Sequence, residues 1–139
     1  MTISFKYKSV KRPDDTVVKT PSIPITLIGK ESFDTVALLD SGADISAMPK
    51  SIAELLGLNL DGNITLAYGI CGTAKCVESE ARIIIQKGHE RYEFSLPIKI
   101  IFDEYQFPIL LGRKGFFDKF IITFDQKNEK VLIKKRTER

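Results

Sequence analysis

The chain has 139 residues, of which 43% are hydrophobic and 28% are charged, and its net charge is +3. This length predicts one domain over residues 1–139, and this composition excludes a largely disordered chain. No apolar run is long enough for a membrane-spanning helix, and the first residues lack the apolar core of a signal peptide. With only two cysteines, these features predict a cytoplasmic protein without a membrane partner.

Most of the chain alternates short apolar runs with polar turns, which is typical of β-strands. In chain order the predicted strands are ISFKYKSV, SIPITLIG, DTVALLD, ITLAYGI, KCVESEARIII, YEFSLPIKII, QFPILL, FIITFD and KVLIKK. Short turns predict that ITLAYGI pairs with KCVESEARIII, and FIITFD with KVLIKK. Helix signals are confined to PKSIAELLG and, more weakly, RKGFFDKF. The sequence therefore predicts an all-β fold, a closed barrel with one or two short helices.

One predicted strand runs directly into an acid. The apolar run 36–39 is followed by Asp40, Ser41 and Gly42. Because a buried lone carboxylate is costly, such a residue usually has a partner or a function. Gly42 permits a tight turn that brings backbone N–H groups toward the carboxylate. The later segment FPILLGR, residues 107–113, is also an apolar run followed by glycine, and we expect it to cross beside the first and hold the acid.

The remaining polar residues restrict the possible chemistry. His89 is the single histidine and lies in the polar run QKGHER, where we expect it to face solvent. One histidine is too few for the usual histidine-based metal clusters and makes Ser–His or Cys–His catalysis a poor hypothesis. The sequence predicts no metal and no cofactor. An enzyme built on this chain would have to use carboxylates.

The segments ALLDSGADISAMP and ILLGR resemble the retropepsin-like aspartic proteases, the single-domain relatives of the retroviral enzymes, over roughly residues 24–124. The resemblance implies a closed β-barrel with a hairpin flap over a cleft, and Asp40 as the catalytic acid. Aspartic proteases need two facing aspartates, and no other aspartate here follows an aliphatic run and precedes Ser/Thr-Gly. The resemblance therefore implies a homodimer that hydrolyses peptides or unfolded proteins, with Asp40 of each chain at the twofold axis.

Further roles follow from the same resemblance. The expected active-site support residues are Ser41, Gly42, Asp44 and Arg113, and Asp44 and Arg113 are expected to form an ion pair. The expected substrate-binding residues are Ala43, Ile45, Gly69, Ile70, Pro108 and Leu110. Cys71 would lie at the flap tip, and we expect Cys71 and Cys76 to be free thiols in a reducing compartment. For the strands that join the subunits, KVLIKK is the first candidate and ISFKYKSV the second.

Two other functions remain open from the sequence. The chain could be a retropepsin-like module that binds peptides or dimerises without turnover. A small basic β-barrel that binds nucleic acid is a third reading, for which surface aromatics interleaved with lysine and arginine would be expected. The aromatic residues lie mostly inside apolar runs instead. The sequence therefore predicts no nucleic-acid partner.

Overall fold

A computed structural model describes residues 2–69, 72–102 and 107–137. The described chain is mostly β-structure, as predicted. Its strands are β1 (Thr2–Lys6), β2 (Lys8–Lys11), β3 (Val17–Thr20), β4 (Ser22–Ile28), β5 (Phe33–Leu39), β6 (Ser46–Pro49), β7 (Ile64–Gly69), β8 (Gly72–Lys87), β9 (Glu90–Ile101), β10 (Ile109–Leu111), β11 (Phe120–Asp125) and β12 (Lys130–Lys135). Helix α1 spans Lys50–Leu56, and an irregular helical turn spans Arg113–Phe117.

Six strands close into a barrel in the order β4-β5-β10-β6-β9-β8, because β8 also pairs with β4. The β5–β10 and β6–β9 pairs are parallel, and the others around the barrel are antiparallel. Alternate residues point inward, as the two-residue repeat of a strand requires. In β4, for example, Ile23, Ile25 and Leu27 are buried in the barrel core. The predicted closed barrel is confirmed.

The long hairpin of β8 and β9 is the largest single pairing, extending from Cys76 opposite Ile101 to Lys87 opposite Glu90. Its two-residue loop contains Gly88 at φ 61° and the exposed His89. Short hairpin loops of this kind need positive φ, which glycine adopts without a steric cost. The expectation that His89 faces solvent is confirmed.

A second sheet of three strands has the order β1-β12-β11. The predicted hairpin of FIITFD and KVLIKK is its β11–β12 pair. Strand β12 is bonded on both sides along residues 130–134, so KVLIKK has no free edge with which to join a second subunit. The segment ISFKYKSV is two strands rather than one, because the Tyr7 N–H bonds to the Glu129 carbonyl and the chain then leaves to form the β2–β3 pair.

Two strands were not predicted, β3 and β6, and each has only four residues. The helix in PKSIAELLG is confirmed as α1, which ends at Gly57 in the left-handed conformation (φ 70°). Pro49 is the last residue of β6 and the N-cap of α1 rather than a first-turn residue. In RKGFFDKF the helix is broken, because Lys114 and Gly115 leave helical φ/ψ values. Within the described residues, no helix has the length and apolarity to cross a membrane.

Candidate active site

The Asp40 loop, residues 40–45, joins β5 to β6. Strands β5 and β10 are parallel, with Leu39 opposite Leu111, so both strands end at the same edge of the sheet. The Asp40 N–H donates to the Leu111 carbonyl at 3.0 Å. The two predicted apolar runs therefore lie side by side, and the strand pairing fixes the backbone at Asp40.

The carboxylate of Asp40 is half-buried and is oriented by its own loop. The Gly42 N–H donates to Asp40 Oδ1 at 3.0 Å, and the Ala43 N–H donates to the Asp40 carbonyl at 3.2 Å. A Cβ added at Gly42 would lie 3.2 Å from Asp40 Oδ1, which is a crowded distance. Among the described side chains, none that is positively charged comes within 4.0 Å of this carboxylate. Asp40 is thus positioned by backbone, and no described residue neutralises it in an ion pair.

Gly112, which follows β10, packs against the Asp40 loop so closely that no side chain fits there. A Cβ at Gly112 would lie 2.7 Å from the Ile45 carbonyl carbon and 2.9 Å from the Ala43 oxygen. The next two residues donate into the same loop, Arg113 N–H to the Ala43 carbonyl and Lys114 N–H to the Asp44 carbonyl, both at 2.9 Å. The predicted contact between DSGAD and ILLGR is therefore made by backbone atoms.

Sequence reasoning missed Ser46, which completes this contact. Ser46 is fully buried, and its Oγ accepts the Gly112 N–H at 2.9 Å. An N–H buried beside an apolar core needs such a partner. The signal was available in the sequence, since a serine lies inside the buried run ISAMP, where a hydroxyl needs a hydrogen-bond partner.

The predicted ion pair between Asp44 and Arg113 does not form. Among the described residues the ion pairs lie elsewhere, and Asp44 Oδ1 instead accepts the N–H of Ile45 at 2.9 Å. The Arg113 side chain is exposed and Asp44 lies on the surface loop, so water solvates each charge and little is gained by pairing them. Arg113 contributes to the site through its main-chain N–H.

The other predicted site residues are not all part of the Asp40 loop. Ser41 is exposed beside Asp40, and Ala43 and Ile45 lie on the same loop. Leu110 is half-buried in β10, where it lies opposite Leu38 and Ala47. Pro108 and Gly69 are exposed, and no hydrogen bond within residues 2–69, 72–102 and 107–137 joins either to the Asp40 loop. Ile70 lies outside the described residues.

Strands β7 and β8 form the predicted hairpin, which extends from Ile64 opposite Val77 to Gly69 opposite Gly72. Its predicted tip residues, Ile70 and Cys71, lie outside the described part of the chain. Cys76, at the base of the hairpin, is a buried free thiol, as expected for this residue. Its Sγ lies 3.4 Å from Thr65 Oγ1.

Metal ligation has no candidate in the described residues, which contain no group of three or more His, Cys, Asp or Glu side chains placed to hold an ion. The chemistry that the Asp40 loop can perform is that of an oriented carboxylate. A single carboxylate can act as a general base or a general acid, and a second group is needed for the opposite role.

Comparison with known proteins identifies the fold. No protein-family model and no curated protein matches the chain. Among solved structures, a retropepsin-like aspartic protease from Rickettsia conorii matches with a TM-score of 0.58 and 16% identity, covering 96% of this chain and 92% of that one. The EIAV protease in complex with the inhibitor HBY-793 matches with a TM-score of 0.46 and 19% identity, covering 68% of this chain and 83% of that one. The chain has a retropepsin-like fold.

Proposed function

We propose that this retropepsin-like chain is a homodimeric aspartic endopeptidase with one Asp40 from each copy in a shared active site. The observation that carries the proposal is the Asp40 carboxylate itself. It stands at the end of a barrel strand, half-buried, oriented by the Gly42 N–H and without a described cation in contact. A structural carboxylate at such a position would normally be neutralised by a charged partner.

The second copy supplies what one chain lacks. Only Asp40 follows an aliphatic strand and precedes a Ser-Gly pair, so a single chain carries one such acid. A twofold axis near the Asp40 loop would place the same residue of both chains face to face. Two carboxylates at close range do not both ionise readily, and they therefore share a proton.

That shared proton gives both catalytic roles to one residue type. The ionised Asp40 removes a proton from a water molecule, whose oxygen attacks the peptide carbonyl carbon. The protonated Asp40 of the other chain donates its proton to the carbonyl oxygen. Collapse of the tetrahedral intermediate breaks the C–N bond. A hydroxyl of the intermediate returns a proton to the second carboxylate, and the proton held by the first carboxylate passes to the leaving amine. The pair returns to its starting state with one shared proton, and no covalent intermediate forms.

The proposed substrate is an extended peptide or an unfolded protein segment. It would lie between the β7–β8 hairpin, acting as a flap, and the loop around Asp40, where Gly42 and Gly69 offer main-chain groups. An extended chain in such a cleft adds a strand, so main-chain bonds set affinity and side-chain pockets set specificity. We assign the pockets to the predicted apolar residues, which are Ala43, Ile45, Ile70, Pro108 and Leu110.

The proposal is tested by cleavage of casein, an unstructured protein, between roughly pH 3 and pH 8. We expect a bell-shaped pH profile with an acidic optimum, because the carboxylate pair must carry one proton. Asp40→Asn should abolish cleavage and leave a folded dimer, since asparagine keeps the shape of the side chain but cannot accept the proton. Pepstatin inhibition would be a second mark of the same chemistry.

The matched control is Asp34→Asn, at an exposed aspartate of the same strand whose Oδ1 accepts the Thr26 hydroxyl. This variant should cleave like the wild type. Cleavage that survives in Asp40→Asn would contradict the assignment of Asp40. A wild-type dimer that cleaves nothing at any pH would instead support a peptide-binding or dimerisation module.

A further inference from the structure

The outer edge of β11 is the feature from which we infer a subunit interface. Strand β11 pairs with β12 on one side, and no other strand in residues 2–69, 72–102 or 107–137 pairs with it. Its segment FIITFD is rich in β-branched and aromatic residues and has no proline. Ile121 and Phe124 are 45% and 40% exposed, which is high for large apolar side chains. An exposed apolar edge of this kind is a template for pairing with another strand.

The register of the sheet determines which backbone groups point outward. The Arg136 N–H donates to the Lys119 carbonyl, and these two residues continue the β11–β12 register. In an antiparallel pair, hydrogen-bonded positions alternate. Ile121, Thr123 and Asp125 therefore bond to β12. Phe120, Ile122 and Phe124 point their N–H and carbonyl groups to the free edge.

The opposite edge of the same sheet is protected, in contrast to β11. The Lys87 ammonium donates to the Ser4 carbonyl of β1. Lysines also flank that edge at Lys6 and Lys8. Lysine at an exposed edge is a common means of blocking strand addition. Of the two sequence-based candidates for the subunit contact, KVLIKK is paired on both sides and ISFKYKSV carries a blocked edge.

We propose that β11 pairs antiparallel with β11 of a second copy of this chain, with the twofold axis at Ile122. This inference rests on the homodimer proposed above and names the surface that forms it. Ile122 would face itself, and Phe120 would face Phe124 of the partner subunit. These are the residues whose main-chain groups point outward, so the pairing makes about six backbone hydrogen bonds and joins two three-stranded sheets into one.

Charge complementarity selects this register. With the axis at Ile122, Lys119 of each chain lies opposite Asp125 of the other, and two such pairs close the ends of the interface. Asn128 donates to both oxygens of Asp125. Those hydrogen bonds hold the pKa of Asp125 below its ordinary value, so it is ionised at neutral pH. The Lys119 ammonium lies over the Phe94 ring in the isolated chain, and pairing requires it to turn toward the partner.

The segment between β10 and β11 connects this edge to the Asp40 loop. The N–H groups of Arg113 and Lys114 donate to the loop, and the ring of Phe117, three residues after Lys114, lies 6.5 Å from that of Phe124. An interface at β11 is thus attached to the proposed active site through one short, hydrogen-bonded turn.

Charge reversal tests the register. We expect Lys119→Glu and Asp125→Lys each to weaken dimerisation about tenfold, because each places two like-charged pairs across the axis. An equimolar mixture of the two variants should form a heterodimer of nearly wild-type affinity. In that heterodimer both ends of the interface again join an acidic side chain to a basic one, with one of the two pairs reversed in direction. Sedimentation equilibrium measures all of these affinities.

The matched control is Lys134→Glu, which makes the same charge change on an exposed residue of β12, one strand away from the proposed contact. It should leave the affinity within about twofold of wild type. Variants that dimerise like the wild type, or a mixture that gains no affinity over its components, would overturn the inference.

Amide hydrogen exchange on the wild-type chain supplies a test that needs no variant. The amides of Phe120, Ile122 and Phe124 should be protected only at concentrations where the dimer forms. Those of Ile121 and Thr123, which bond to β12, should be protected at all concentrations. A dimer whose Ile122 amide exchanges freely would overturn this interface while leaving the proposed protease intact. A dimer paired through β11 that cleaves nothing would support this interface and contradict the proposed protease.

Discussion

Gly112 and Ser46 define the candidate site as much as Asp40 does. Gly112 leaves no room for a Cβ beside Ile45, and its N–H is bonded to the buried Ser46 hydroxyl. Through Ala43, the following residue Arg113 holds the loop that carries the carboxylate. The position of Asp40 therefore depends on residues that have no part in the proposed chemistry.

The first prediction concerns Ser46. Ser46→Ala should lower the free energy of unfolding by about 1–3 kcal/mol, because the Gly112 N–H would remain buried without an acceptor. Urea denaturation measures the change. Ser9→Ala, at an exposed strand position, should change it by less than about 0.5 kcal/mol. Equal stability of Ser46→Ala and the wild type would show that this hydrogen bond makes no net contribution to the free energy of unfolding.

The second prediction concerns Glu93 on the β8–β9 hairpin. A hydrogen bond from Arg82, with a further one from Arg91, holds the pKa of Glu93 below its ordinary value of 4.5. A carboxylate with a lowered folded-state pKa stabilises the fold above its ordinary pKa, and this contribution is lost as the pH falls through the folded-state value. Glu93→Gln should therefore be less stable than the wild type near neutral pH and equally stable in acid.

Urea midpoints measured as a function of pH test this point. Glu80→Gln is the control, because exposed Glu80 lies opposite Pro97 rather than a cation. The difference between wild type and Glu93→Gln should be small, since the site is exposed. If the stability difference between the wild type and Glu93→Gln grew on acidification, it would contradict a lowered pKa of Glu93 in the folded state.

At the residue scale, the sequence was informative where backbone chemistry decides the structure. The apolar runs before Asp40 and Gly112 predicted two segments side by side, and Gly42 predicted a tight turn with an N–H group near the carboxylate. Both features are present. The prediction of an Asp44–Arg113 ion pair was wrong. At the surface, water and nearby backbone groups compete for each side chain, and a short motif does not specify which partner is bound. Ser46 was missed since its role depends on a residue 66 positions away.

Strands could be predicted from the sequence where their own residues carry the pattern, and not where distant pairing partners make the strand. The long strands, such as β8 and β9, carry their own alternation of buried and exposed residues, so the sequence alone predicts them. Strand β6 has four residues, and its pairing partners β9 and β10 are distant in the chain. Local signals cannot reveal such an element, because tertiary pairing and not propensity makes it a strand.

The end of α1 gives a prediction at this scale. Gly57 has φ 70°, and its N–H bonds to the Glu54 carbonyl. Gly57→Ala should destabilise the fold by about 1 kcal/mol, because a side chain disfavours the left-handed conformation. A Cβ there would also lie 3.3 Å from the Lys30 Cβ. Thermal unfolding measures the effect, and Ser51→Ala, exposed in the same helix, should cost less than about 0.5 kcal/mol. Equal losses from both changes would contradict the capping role.

On the scale of the whole molecule, closure of the barrel and the position of the second sheet matter most. The sequence predicted an all-β closed barrel, and the β4–β8 pairing closes it. It did not predict that β12 lies in the middle of its sheet, since strand order depends on which distant edges meet. Among the described residues, that order leaves one edge of β11 without a partner strand and changes the strand to which we assign the subunit contact.

The proposed homodimer, with Asp40 of both chains in one active site, has a further consequence at this scale. If each active site needs one carboxylate from each chain, a dimer of wild-type and Asp40→Asn chains should be inactive. Cleavage should therefore follow the fraction of dimers in which both chains are wild type, and not the fraction of wild-type chains.

The most direct test of the central claim is to mix wild-type and Asp40→Asn chains in varied ratios at constant total concentration, let the subunits exchange, and measure casein cleavage. We predict that activity falls as the square of the wild-type fraction, so that an equal mixture retains about a quarter of the wild-type rate. A linear fall, with about half of the rate retained in the equal mixture, would contradict a site shared between two chains.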